Sequence, residues 1–131
     1  MSRNIFVFGS NTAGIHGAGA AAFAVKNHGA VYRQGIGLQG NAYGIPTKDR
    51  CIRTLPLSAI DNYVTDFIDF AVLHPELTFN VTRIGCGLAG YTDEQIAPMF
   101  KTAPNNVNLP IEWEPIIGKG QYHFIDWVFK E

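Results

Sequence analysis

Cysteine is scarce: Cys51 and Cys86 are the two among 131 residues, too few for the disulfide framework that holds a small secreted scaffold together. Both are expected to be free thiols, and the expected compartment is the cytoplasm. Neither cysteine stands in a C-x-x-C or C-x-x-H spacing, and His16, His28, His74 and His123 show no pairing, so neither a structural metal nor a cofactor is expected. Charge is also low. Charged residues make up 16%, with Lys plus Arg 10 against Asp plus Glu 11, so no global field gathers nucleic acid or a membrane surface, and an anionic ligand has to be held locally. No apolar run approaches the 18 residues of a membrane span, and no membrane partner is expected. The first residues enter the run Ile5-Phe6-Val7-Phe8 after Arg3 without a cleavage-site pattern, which reads as a strand and not as a signal.

What is present is a core and an excess of glycine. Hydrophobic residues reach 47%, too apolar for disorder, and the length suits one domain spanning residues 1–131. Glycine occurs 14 times, above the usual share of roughly 7%. Nine of the glycines fall between Gly9 and Gly44, and Gly85, Gly87 and Gly90 form a second cluster.

Residues 4–8 form a short β-branched and aromatic run closed by Gly9, the pattern of a buried strand. The alanine-rich stretch 18–28 predicts a helix, with Gly29 where a left-handed cap belongs. Residues 42–47 predict a strand ending at Lys48, with Pro46 confining it to a strand end. Leu57, Ile60, Val64, Phe67, Ile68 and Ala71 line one face of a helix that Pro75 stops. Residues 77–84 alternate as a strand. Thr92-Asp93-Glu94-Gln95 is a capping box that opens a helix, which Pro98 shortens or bends. Residues 111–114 and 122–129 read as later strands, the last of them equally as a docked helix. Strands alternating with helices give an α/β layer fold with a largely parallel sheet.

Both glycine clusters follow a strand and precede a helix. Such loops lie at the carboxyl edge of a parallel sheet, where α/β proteins take ligands, and their backbone N–H groups with the next helix N-terminus hold phosphate without net basic charge. The plainer alternative is that the glycines serve tight turns and close packing alone. Gly14-Ile15-His16-Gly17-Ala18-Gly19 does not fit the dinucleotide fingerprint, because no acidic residue follows about 20 positions on. No G-K-S/T suggests a Walker loop either.

The segment Gly9-Ser10-Asn11-Thr12-Ala13-Gly14-Ile15-His16-Gly17-Ala18-Gly19 resembles the Asn-then-glycine loop of macro domains, which bind ADP-ribose, and Ile84-Gly85-Cys86-Gly87-Leu88-Ala89-Gly90-Tyr91 looks like their second, phosphate-enclosing loop. The nearest branch is that of the terminal ADP-ribose protein glycohydrolase and the DNA ADP-ribosyl glycohydrolase antitoxins, where a lysine follows the intervening strand as Lys48 follows Ile45-Pro46-Thr47 here. The string from Gly37 to Asp49 is also similar to a phage-type macro-like subfamily. The order of the motifs matches over about residues 4 to 115.

The resemblance implies a three-layer macro-like α/β fold, with a mixed, largely parallel sheet flanked by helices, and a ligand of the ADP-ribose type, free or carried on a protein or nucleic acid. Asn11 and Thr12 would meet the distal ribose, Gly17, Ala18 and Gly19 would lie under it, and Gly85, Cys86, Gly87, Leu88, Ala89, Gly90 and Tyr91 would wrap the pyrophosphate. Lys48 would be the nucleophile, acting as a neutral amine; the alternatives are a surface lysine paired with Asp49 or a phosphate contact. The acid that resolves the lysine adduct in that branch is replaced by Ala89, and the aspartate and aromatic of other hydrolytic macro domains fall at Ala21 and Ala89. The upstream strand and the acidic residue that holds the adenine amine in the family have no counterpart before residue 4. Two uses of the site stay open: removal of ADP-ribose from a modified macromolecule, or binding alone, as a reader or a metabolite-sequestering protein.

Among single residues, Asp93 is expected to serve the capping box, Cys86 to fill space or act as an activated thiol, and His16 to face solvent in its loop. Tyr32, Tyr43 and Tyr91 are expected in the core or a pocket wall, and Trp113 and Trp127 in packing. Arg33, Lys48, Arg50 and Arg53 form a mildly positive rim or a solvated face.

Overall fold

A computed structural model describes residues 3–118 and 120–127. Its centre is one six-stranded sheet in the order β2-β3-β1-β4-β5-β6: β1 (Arg3–Asn11), β2 (Gly37–Gln39), β3 (Ala42–Lys48), β4 (Leu77–Val81), β5 (Val107–Pro110) and β6 (His123–Ile125). All neighbours run parallel except β2 and β3, which form an antiparallel hairpin. The sheet is therefore mixed and mostly parallel, and helices cover both faces.

Strand β1 shows why three layers form. Ile5 and Val7 point to one face, with Tyr43, Ile45, Phe79 and Val81, and are covered by α2 (Leu57–Leu73) through Ile60, Val64, Phe67 and Ala71. Phe6 and Phe8 point to the other face and pack under α1 (Gly19–His28) through Ala20, Ala21 and Ala24. Burial on both sides turns β1 into a continuous apolar run in place of an alternating one. The alanines keep α1 close to the sheet, and Gly29 ends that helix in the left-handed conformation, φ 76°.

The capping box forms as the sequence predicts. The Thr92 side chain accepts from the Gln95 N–H and the Gln95 side chain accepts from the Thr92 N–H, starting α3 (Asp93–Ile96). Pro98 then converts the chain to a 3-10 turn over Ala97–Phe100.

Three expectations need correction. Residues 111–114 are not a strand: Ile111–Trp113 is a 3-10 turn that leads into α4 (Glu114–Ile117), with Pro115 in the first turn, where its missing N–H costs nothing. The strand of this region is β5, a few residues earlier. Strand β4 stops at Val81 and not at 84: the Thr82 N–H makes the last bond to β1, at 3.0 Å to the Val7 carbonyl that its hydroxyl also meets at 2.8 Å, and the Ile84 N–H then folds back onto the Thr82 carbonyl at 2.7 Å. The last expected strand is cut to His123–Ile125; its final positions, 128 and 129, lie outside the described residues. Among the described residues no helix is long and apolar enough to cross a membrane.

Candidate functional site

Strand β1 leads through α1 to β2 and β3 on one side of the sheet, while β4 leads to β5 on the other. Where neighbouring strands send their chains in opposite directions, a crevice opens at their carboxyl ends. The two loops at this crevice are the two glycine clusters. A groove of about 220 Å³ lies there, lined by Gly9, Ser10, Asn11, Ile15, Gly17, Ala18, Ala21, Thr47, Lys48, Ile52, Gly85, Gly87, Leu88 and Ala89.

The first loop is stiffened from within. The Asn11 amide donates to the Ile15 carbonyl at 2.8 Å and its oxygen accepts from the Ile15 N–H at 2.9 Å, which leaves one N–H and one lone pair of a buried side chain for other partners. Ser10, also buried, donates its hydroxyl to the Gly35 carbonyl. A Cβ on Gly35 would stand 1.9 Å from the Asn11 carbonyl oxygen, so only glycine lets this chain cross behind the loop. His16 is not solvent-facing, contrary to expectation. It is 4% exposed, its Nε2 pairs with the Gln34 carbonyl at 2.8 Å, and its ring meets Phe8 edge-on at 5.2 Å. A carbonyl partner makes Nε2 the protonated nitrogen.

At the end of this loop, Ala18 begins α1 without a side-chain cap, and the first turn carries no acidic residue. The positive end of the helix dipole is thereby left unneutralised beside Gly17, Ala18 and Ala21, all of which line the groove.

The second loop is held at both ends. Arg83 donates to Asp93 through Nε at 3.0 Å and a terminal nitrogen at 2.7 Å, and the Trp113 indole donates to the same carboxylate at 2.8 Å. Burial alone would raise the Asp93 carboxyl, but these donors and the Arg83 charge outweigh it and hold its pKa below the ordinary value. Asp93 therefore has a structural role beyond the capping box. Within the loop the Tyr91 N–H returns to the Gly85 carbonyl at 2.9 Å. Toward the segment between β3 and α2, the Thr54 hydroxyl donates to the Ala89 carbonyl at 3.0 Å and the Tyr91 hydroxyl to the Leu55 carbonyl at 2.7 Å.

Lys48 lies between the two loops. Its carbonyl accepts from the Thr12 N–H at 3.0 Å, and a register shift between Ser10 and Asn11 makes Thr47 the unmatched residue beside it. Among the described residues that line the groove, Lys48 carries the ionisable side chain; neither a carboxylate nor an imidazole joins it there.

The expected site residues thus divide. Asn11, Gly17, Ala18, Lys48, Gly85, Gly87, Leu88 and Ala89 share the groove wall. Thr12, Gly19, Cys86, Gly90 and Tyr91 stand outside it: Thr12 is tied to β3, Gly19 opens α1, Cys86 and Tyr91 pack against the larger core, and Gly90 closes its loop onto Gly87. Arg33, Arg50 and Arg53 are exposed and do not line the groove, and Arg53 pairs with Asp49 at 3.3 Å. Tyr43 is in the core, where burial first and the Asp66 charge second push its hydroxyl up to about 12. Tyr32 is exposed. Trp113 is buried, and the Trp127 indole donates to the Val81 carbonyl. Gly9, Ser10, Ile15, Ala21, Thr47 and Ile52 also line the groove and were not among the expected site residues. Ile52 could not have been found locally, since it reaches the groove through a left-handed backbone, φ 63°, which β-branched residues avoid.

Comparison with family models, with curated proteins and with solved structures returned no match.

Proposed function

We propose that this chain is a macro-like module that binds ADP-ribose or a related nucleotide diphosphate sugar in the groove between its two glycine loops. The observation that carries this reading is the meeting of Gly9–Ala18 with Gly85–Ala89 at the crevice beside β1, over the uncapped start of α1. Backbone N–H groups and a helix dipole suit a diphosphate, and they supply what the near-neutral chain lacks in side-chain charge. Lys48 adds one cation at the same place.

Binding without turnover is the reading that the groove favours. A hydrolase acting on a glycosidic bond needs a group to move protons, and the lining holds neither carboxylate nor imidazole. Release of ADP-ribose from a modified protein or nucleic acid is the second reading, and it rests on Lys48 as nucleophile. Calorimetry with ADP-ribose tests the first: a saturable heat is expected, weakened in Lys48→Ala. Incubation with ADP-ribosylated protein and DNA tests the second: release by the native chain but not by Lys48→Ala would establish catalysis.

A further inference from the structure

Three aliphatic side chains of the groove lining stay exposed to water. Ile15 from the first loop, Ile52 from the turn after β3 and Leu88 from the second loop all line the groove, yet they remain 38%, 44% and 67% exposed. Ile52 is held there against its own preference. Its left-handed backbone is fixed by Asp49, whose carbonyl accepts from the Ile52 N–H and whose carboxylate accepts from the N–H groups of Cys51, at 2.8 Å, and Arg53, at 3.0 Å. Three aliphatic side chains from three separate segments at the rim of one groove form a contact surface for a flat apolar ring, which binding would remove from water.

The polar side chains of the lining are Ser10, Asn11, Thr47 and Lys48. The Ser10 hydroxyl is given to Gly35, Thr47 turns to the Ser10 carbonyl at 3.4 Å, and Asn11, 7% exposed, gives one N–H and one lone pair to Ile15 and keeps the others below the rim. None of the three rim residues carries a side-chain donor or acceptor with which to read the edge of a base.

Resting on the reading of the groove as a nucleotide diphosphate site, we infer that the aliphatic rim of Ile15, Ile52 and Leu88 holds the nucleobase by its faces and accepts any base. The substrate class is then nucleoside diphosphates and their sugars irrespective of base. Apolar contact discriminates between ring systems weakly, whereas a site built to hydrogen-bond a base edge rejects the wrong one by orders of magnitude. Every base offers the same kind of face.

The test is calorimetry of ADP, GDP, UDP, CDP and inorganic pyrophosphate with the native chain and Ile52→Gly. Glycine at 52 removes the side chain and suits the left-handed backbone, so this variant keeps its fold. The four nucleotides are expected within about fivefold of one another, and pyrophosphate at least about tenfold weaker. Ile52→Gly should weaken the nucleotides by about three- to tenfold and leave pyrophosphate unchanged. A preference of about tenfold or more for ADP over UDP and CDP, or pyrophosphate binding as tightly as the nucleotides, overturns the inference while the diphosphate site stands. Absence of binding by pyrophosphate and all four nucleotides overturns the diphosphate site and the inference with it.

Discussion

The Asn11 side chain and the Ile15 backbone exchange two hydrogen bonds, at 2.8 and 2.9 Å, and so close the first glycine loop upon itself before any ligand arrives. Asn11→Ala removes both bonds and leaves a partly buried N–H and carbonyl without their partner, a cost of about 1–3 kcal/mol. Asn11→Asp is expected to be worse, since a carboxylate oxygen faces the Ile15 carbonyl where an N–H stood. Urea denaturation of the two variants measures this. Equal stability of all three proteins would show that the loop is ordered by something else.

Two glycines of the first loop and its neighbour should respond in opposite ways. A Cβ on Gly17 meets nothing within 4 Å, whereas one on Gly35 would lie against the Asn11 carbonyl oxygen. Gly17→Val is expected to keep its stability within about 0.5 kcal/mol while its side chain fills the groove and lowers ADP-ribose affinity at least about tenfold. Gly35→Ala should lose about 3 kcal/mol or more. Thermal melts beside calorimetry separate a blocked site from a damaged fold.

Acid should loosen the second loop through Asp93. Its folded pKa lies below the ordinary 3.8, because the Arg83 and Trp113 contacts overcome burial. The stabilisation is therefore complete above 3.8 and is lost as pH falls through the folded value. Asp93→Asn forfeits the charge-assisted bonds, about 1–2 kcal/mol at pH 7. In urea titrations between about pH 6 and pH 2, the native chain should lose its advantage over Asp93→Asn toward the acid end. Parallel profiles would place the acid sensitivity elsewhere.

Much of the fold was legible because its signals are local. The run Ile5–Phe8, the alanines of α1 with Gly29, the stripe from Leu57 to Ala71 and the Thr92 box each need only their own neighbours in sequence. Strand β2 was not legible: Gly37-Leu38-Gln39 holds one apolar residue and is a strand only through pairing with β3. Strand β5 was displaced to residues 111–114 because Trp113 is buried from a 3-10 turn, while Asn108 hides the true strand by bonding Asn80 across it at 2.8 Å. In the site, the glycine loops announced themselves through the helices that follow. Thr47 and Ile52 did not, since a bulge and a left-handed turn are fixed by distant partners, and the burial of His16 depends on the Gln34 carbonyl 18 residues away.

Amide chemical-shift mapping during titration with ADP-ribose tests the central claim most directly. Binding between the glycine loops predicts the largest changes at Gly17, Ala18, Ala21 and Gly85 to Ala89, with Lys48 beside them. Unchanged spectra at millimolar ADP-ribose, or changes confined to residues away from this groove, would contradict it.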